Sequence, residues 1–431
     1  MSPELIGLIG IIVMLILVFM RFWVGSVMAI VGLVGYAYLE GWGKALKVAG
    51  IEPFAHTSSY ILAAVPMFIF MGLVISHTGL GSDLYRAASV WLGRVRGGLA
   101  MASVVATGVF AAVCGDSVAT ATTIGKVAFP EMKKFNYDSR LAAGCLAAGG
   151  TIGIMIPPSL GFILYGLLTE QSIGQLFIAG IIPGILQVLF YVITIALLCR
   201  FNPNLAPLTV SRSLSFKEKV VETKYALAVA GIIVFVIGGI YLGLFTATEA
   251  GALGSFGAII AAAVARKATK ENLKSAILEG TQTAGMIAFM VVGVFLFTRF
   301  MAVSRAPNAL TDFVVGTGLP PMAVLGLIIV MYLILGCIMD VFAAVILTLP
   351  FVYPTILACG FDPIWFGVLM VRLMEIGLIT PPIGLNCFVL SASIGVPTTT
   401  VFRGIFPFVI ADIVHVGLLI AYPELALYLV K

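Results

Sequence analysis

The sequence predicts an all-α polytopic membrane protein built from two copies of one unit, on three observations. Hydrophobic residues make up 61% of the 431 positions and charged ones 10%, with a mean hydropathy of +1.16, which excludes a soluble globular chain. Apolar runs of membrane-spanning length recur from end to end, without the period-two alternation of a transmembrane β-barrel. The third observation is a repeat. A shift of 224 positions takes Asp116 to Asp340, Ala119 to Ala343, Pro130 to Pro354 and Asp138 to Asp362. The same shift takes Ile152-Gly153 to Ile376-Gly377, Pro157-Pro158 to Pro381-Pro382, Gly180-Ile181 to Gly404-Ile405 and Pro183 to Pro407. The matches fall mainly on Asp, Gly and Pro, which start, bend and stop helices, and not on the common residues that chance would align.

Taken in order, helices are expected near 4–20, 23–40 and 58–78, a re-entrant hairpin near 98–134, and two helices near 139–168 and 173–200. The run Leu5 to Met20 has neither a basic leader nor a small-residue cleavage site, so it is expected to be a retained helix and not a signal peptide. A polar segment, 201–224, contains Asn202-Pro203, Arg212, Lys217, Lys219 and Lys224 and is expected to be a cytoplasmic linker loop. It separates a first repeat, 1–200, from a second, 225–431, in which the plan recurs. The second repeat reads as helices near 225–244, 248–265 and 274–300, a hairpin near 320–358, then helices near 363–394 and 399–429. The helices 139–168 and 363–394 are expected to break at Pro157-Pro158 and Pro381-Pro382, because a proline pair removes two backbone donors and forces the preceding residue out of the helical region.

A hairpin that enters and leaves on one side makes no net crossing, so each half crosses an odd number of times and the second half is inverted relative to the first. Basic residues agree with that plan. They cluster at Arg86/Arg94/Arg96, Lys133/Lys134/Arg140, Arg200 to Lys224 and Arg266/Lys267/Lys270/Lys274, while loops 168–172, 244–248 and 358–363 carry none. With both termini periplasmic, every cluster falls on the cytoplasmic side; Arg299, Arg305 and the pair Lys44/Lys47 are exceptions. The two hairpins then enter from opposite faces with their tips near mid-membrane.

In lipid, a broken helix survives only where it lines a cavity, so paired interruptions in corresponding halves point to a transporter's binding site. The first tip offers Asp116, Ser117, Thr120 and Thr122, and the first break Thr151, Ser159 and the backbone from Gly153 to Ile156. The second tip offers Asp340, and the second break Thr380, Asn386 and the backbone from Gly377 to Ile379. Helix N-termini attract carboxylates, free carbonyls attract cations, and ligation rich in oxygen and poor in sulfur suits a hard alkali cation. Asp116 and Asp340 can equally be simple N-caps at the hairpin tips. Arg372 and Glu375 stand one helical turn apart and are expected to form an ion pair, the alternative for Arg372 being a substrate carboxylate.

The chain resembles a known family in Gly115-Asp116-Ser117-Val118-Ala119-Thr120, in Pro130-Glu131-Met132-Lys133-Lys134, in Ala148 to Ser159 and in Glu375 to Asn386. These runs look like the large membrane (permease) subunit of tripartite ATP-independent periplasmic (TRAP) transporters. The resemblance spans essentially the whole chain, although that family usually has Ser where Asp116 stands. It implies an elevator-type carrier, with scaffold and transport domains, that takes up an organic acid together with Na+ across the bacterial inner membrane. It further implies a small four-helix membrane subunit and a soluble periplasmic substrate-binding protein as partners, and no cofactor besides the coupling ion. Carried over, the Na+ sites involve Gly115, Asp116, Ser117, Gly153 and Pro157 in the first half. In the second half they involve Met339, Asp340, Gly377, Thr380 and Pro381. The substrate would sit near Thr120, Ser159 and Asn386.

Other features carry less. The six cysteines form no CxxC pair and read as small core residues, and His56, His77 and His415 show no metal-ligand spacing. Gly125-Lys126 resembles a P-loop ending, but Val127 follows and Thr120 occupies the first glycine's place. No HExxH or GxSxG occurs, which disfavours an intramembrane enzyme; a stand-alone sodium–carboxylate carrier is the nearer alternative. The surroundings are expected to be lipid, with no nucleic-acid partner.

Overall fold

Ten of the twenty described α-helices start on a Ser, Thr or Asp side-chain cap, and the Asp caps recur in both halves. The computed structural model describes residues 1–207 and 215–430; Arg212 of the expected linker lies outside the described residues. The first half contains α1 (Pro3–Phe19), α2 (Val24–Glu40), α3 (Trp42–Thr57), α4 (Ala64–His77) and α5 (Leu80–Leu92). There follow α6 (Gly98–Cys114), α7 (Ser117–Lys134), α8 (Ser139–Gly150), α9 (Leu160–Thr169) and α10 (Ile173–Phe201). The second half contains α11 (Phe216–Tyr241), α12 (Ala247–Val264), α13 (Lys270–Ser304) and α14 (Ala306–Gly316). It continues with α15 (Pro321–Ile338), α16 (Val341–Ala358), α17 (Pro363–Ile379), α18 (Leu385–Ile394), α19 (Thr398–Ala421) and the short α20 (Glu424–Leu427). Among the described residues there is no strand, and seven helices are long and apolar enough to cross a membrane, or eight if α4 and α5, bent by 66°, form one span.

The repeat has a local cause. Asp116 caps α7 and Asp340 caps α16, while Asp138 caps α8 and Asp362 caps α17, each side chain accepting from a backbone N–H of the first turn. Starts and breaks from α6 to α10 therefore recur in α15 to α19 with the 224-residue offset. Two further matches lie inside long helices: Pro183 in α10 and Pro407 in α19.

Two sets of helices pack closely, and α4 and α5 join them by packing on α6. Helices α2, α4, α12 and α13 pack on one another, as do α7, α8, α17, α18 and α19 with α6 and α15 alongside. Close crossings use glycine where backbone meets backbone. A Cβ on Gly404 of α19 would lie 1.9 Å from the Arg140 carbonyl oxygen, and one on Gly144 of α8 would lie 2.3 Å from the Gly404 carbonyl carbon. Helices α15 and α17 meet in the same way, a Cβ on Gly377 falling 2.4 Å from the Gly336 carbonyl carbon. Such contacts let van der Waals packing hold helices together where lipid supplies no hydrophobic driving force.

Several sequence-based boundaries need correction. The linker expected over 201–224 is shorter: α10 runs to Phe201, a 3₁₀ turn covers Pro203–Leu205, and α11 starts at Phe216 on a Ser215/Glu218 capping box. Lys217, Lys219 and Lys224 thus belong to a helix whose first turns are polar. Helices α3, α5 and α14 were not expected, because each is short or mixed in polarity and lacks a spanning apolar run. The expected helix 58–78 starts at Ala64, and the last, expected over 399–429, ends at Ala421 before α20.

Gly404→Ala is expected to lower the thermal unfolding midpoint of the detergent-purified protein by the equivalent of about 1–3 kcal/mol, the usual cost of overpacking. Gly238→Ala, with no heavy atom within 4 Å of the added Cβ, is the control and is expected to leave the midpoint unchanged or slightly raised. Fluorescence-detected melting of both variants checks this.

Candidate functional site

The first tip and the first break are built from helix ends. Gly115 closes α6 at φ 64°, in the left-handed region that glycine enters without steric cost. Asp116 then turns extended, and its Oδ1 accepts from the Ala119 N–H at 2.6 Å to open α7. Helix α8 stops at Gly150, residues 151–159 run as turns through the cis Pro157-Pro158 bond, and Ser159 Oγ accepts from the Phe162 N–H at 3.3 Å to open α9. The two interruptions touch: a Cβ on Gly115 would lie 3.2 Å from Leu160 Cγ, and one on Gly153 3.6 Å from the Asp116 carbonyl carbon. Two helix N-termini, each worth about +0.5 of a charge, thus meet two C-terminal carbonyl clusters. Gly115, Ser117, Thr120, Gly153, Pro157 and Ser159 are all buried, and Asp116 is half-buried.

The second half repeats the backbone with different surroundings. Asp340 Oδ1 accepts from the Ala343 N–H at 3.0 Å, Thr380 ends α17, and a cis Pro381-Pro382 bond precedes Gly384 and α18. The Cys337 thiol donates to the Pro381 carbonyl at 3.8 Å, so this tip also meets its break. Here, however, Asp340, Pro381 and Pro382 lie at the surface of the chain and Met339 is half-buried. The Thr380 hydroxyl is turned back on its own helix, donating to the Ile376 carbonyl at 2.6 Å. Thr380, Pro381 and Pro382 border an apolar cavity of about 460 Å³, walled by Ile329, Leu333 and Ile413.

Contacts between the halves run through side chains at the breaks. Ser117 Oγ lies 2.7 Å from each carboxylate oxygen of Glu375, which binds the first tip to the second broken helix. The expected Arg372–Glu375 pair is not formed. Arg372 Nη2 instead donates to Asp412 of α19, because the guanidinium points across to that helix and not along its own. Asp412 Oδ2 accepts from the Tyr191 hydroxyl at 3.0 Å, and Tyr191 and Thr151 hydroxyls lie 3.0 Å apart. Gln187 donates to both at 3.3 Å. Thr120 Oγ1 and both amide atoms of Asn386 are buried with no hydrogen-bond partner among the described residues. They sit on α7 and α18, which pack where Gly125 meets Leu390.

Sequence reasoning missed Glu375 as a partner of the tip, and also Asp412, Tyr191 and Gln187. A signal existed for Asp412, since an ionisable residue inside an apolar run is rarely idle. None existed for its pairing with Arg372. The donor set at the first tip — carboxylate, hydroxyls and free carbonyls, with one hydroxyl unpartnered — fits a small hard cation of the Na+ type.

Two halves, each with a capped hairpin facing an interrupted helix, make the kind of paired interruption at which membrane transporters build their binding sites. The fold is that of the YdaH transporter of Alcanivorax borkumensis, at TM-score 0.62 and 13% identity over 99% of this chain and 100% of that one, a likeness of fold alone. Residues 11–425 match the model of the tripartite ATP-independent periplasmic transporter, DctM component, and the chain belongs to that family. It is 33% identical to the C4-dicarboxylate TRAP transporter large permease protein DctM of Pseudomonas aeruginosa over 385 residues, 89% of either chain. It is 29% identical to the sialic acid TRAP transporter large permease protein SiaM of Vibrio cholerae over 94% of both chains. It is 34% identical to the isethionate TRAP transporter permease protein DctMQ of Oleidesulfovibrio alaskensis, of which the matched region covers 58%. The chain is therefore a multi-pass TRAP large permease, and its relatives are permeases rather than enzymes.

Arg372→Met leaves Asp412 buried without its cation and is expected to cost about 3–5 kcal/mol of stability. The double variant Arg372→Met/Asp412→Leu is expected to regain most of that loss, as an apolar replacement of both partners usually does. Thermal unfolding of the two purified variants checks the pair.

Proposed function

We propose that this chain carries out Na+-coupled uptake of an organic acid across the bacterial inner membrane by an elevator movement. A periplasmic binding protein delivers the substrate, and a small four-helix membrane subunit braces the scaffold. The two repeats are inverted in the membrane, with both termini periplasmic. Helices α6–α10 and α15–α19 form the moving transport domain, and α1–α5 with α11–α14 form the scaffold. Cations at the two tips order the site, after which a carboxylate is held between Thr120, Ser159 and Asn386 near the N-termini of α7 and α9. Each charge moved with the membrane potential contributes about 2.3 kcal/mol per 100 mV.

The observation that carries this reading is the convergence of both interruptions, joined across the halves by Ser117 and Glu375. Support for an organic acid comes from the relatives, whose names specify C4-dicarboxylate, sialic acid and isethionate; another, from Halomonas elongata, specifies ectoine. The relative named DctMQ is longer than this chain, which agrees with a second membrane component.

Uptake of radiolabelled organic acids into liposomes containing this chain and the small subunit tests the reading. Uptake is expected only with an inward Na+ gradient and with the binding protein outside. Uptake without Na+ would remove the coupling, and uptake without the binding protein would favour a stand-alone carrier. Asp116→Ser is expected to keep Na+ dependence, since Ser also caps a helix; Asp340→Ala, which loses the cap, is expected to weaken it.

A further inference from the structure

Five charged side chains are buried among the described residues: Glu52, Asp83, Arg372, Glu375 and Asp412. Four of them are neutralised. Glu52 meets Arg299 at 2.7 Å, Asp83 meets Lys267 at 2.6 Å, and Arg372 meets Asp412. Glu375, fully buried, has no ion pair. Its hydrogen-bond partner is the Ser117 hydroxyl, 2.7 Å from both carboxylate oxygens. A serine has one hydroxyl hydrogen, whereas a carboxylate has about four acceptor sites, so most of this group's acceptor capacity is unserved. Arg372, one turn back on α17, donates from Nη2 to Asp412 on α19, and its Nε and Nη1 make no hydrogen bond to Glu375 or to any other described residue.

The neighbouring acid does not take this role. Asp116 spends one oxygen on the Ala119 N–H as a helix cap, as Asp340 does in the second half. The repeat itself marks Glu375 as exceptional. Moving back by 224 positions takes it to Thr151, and moving forward by the same step takes Ser117 to Val341. A hydroxyl facing a carboxylate therefore exists at one tip and has no counterpart at the other. Thr120, three residues after Ser117 and thus on the same face of α7, is fully buried with its hydroxyl unpartnered.

We infer that Glu375 supplies the negative charge of the cation site at the first tip, reaching it from the opposite half of the chain. The site takes one monovalent hard cation held by the Glu375 carboxylate with the Ser117 and Thr120 hydroxyls, Thr120 turning a lone pair to the ion and leaving its hydrogen for the substrate carboxylate. Ser117 keeps donating its hydrogen bond to Glu375 while an oxygen lone pair faces the ion. This rests on the Na+ reading above and adds a residue that belongs to the other repeat. Occupancy would then lock the first hairpin to the second broken helix, so a single ion orders both halves.

The test is equilibrium binding of ²²Na+ to the purified chain with its small subunit, for wild type, Glu375→Gln, Glu375→Asp and Ser117→Ala. Glu375→Gln keeps the shape and removes the charge, and it is expected to weaken Na+ binding by about 10–100-fold, the scale on which metal-site partners act. Glu375→Asp is expected to recover part of the affinity, and Ser117→Ala to weaken binding with the charge intact. Melting curves without Na+ establish that each variant is folded. If Glu375→Gln does not purify, Ser117→Ala decides the matter. Wild type that binds Na+ together with Glu375→Gln or Ser117→Ala of equal affinity would overturn the inference and leave the coupling reading standing. Wild type that binds no Na+ would overturn both.

Discussion

A backbone amide or carbonyl released from a helix inside a bilayer has no water to bond, and this constraint shapes the whole molecule. The first broken helix is housed in protein by the hairpin before it, whereas the second meets its hairpin but leaves Pro381, Pro382 and Ile383 at the chain surface. The first break is buried from Thr151 to Leu160 apart from Ile156, and its ends are satisfied by the Ser159 cap and by short turns such as the Gly153 N–H to Gly150 carbonyl bond. Glycine-to-backbone crossings at α8–α19 and α15–α17 bring the neighbouring helices close enough to close the shell. Interruption and close packing are two consequences of one requirement.

The same shell is where charge is spent. Arg372, Asp412, Tyr191, Gln187 and Thr151 form a buried chain of contacts from α17 through α19 and α10 to α8, and Ser117–Glu375 runs beside it. Two of these threads, Tyr191–Asp412 and Ser117–Glu375, cross from one repeat to the other. Buried ion pairs rarely add net stability, but they fix one arrangement against alternatives that strand a charge. The first tip and the second broken helix of the TRAP permease are therefore tied together across the two repeats.

The two halves are alike in backbone and unlike in chemistry. Asp caps and cis prolines recur, whereas Thr151 is the equivalent of Glu375, Ser117 is the equivalent of Val341, and the double proline is buried in one half and at the chain surface in the other. A duplicated scaffold has become an asymmetric site.

The amino-acid sequence alone determined the membrane class, the repeat and the places where helices start and break. Asp before a helix, Gly in the left-handed region and a proline pair act within a few residues, whatever surrounds them, so their effect can be read locally. Short elements such as α3, α5 and α14 escaped because no spanning apolar run marks them. Only the tertiary structure decided that Arg372 turns to Asp412 and that Glu375 reaches Ser117. Helical spacing puts Arg372 and Glu375 in reach of each other, but partner choice for a buried charge depends on which helix packs opposite, and that is set by contacts across hundreds of residues.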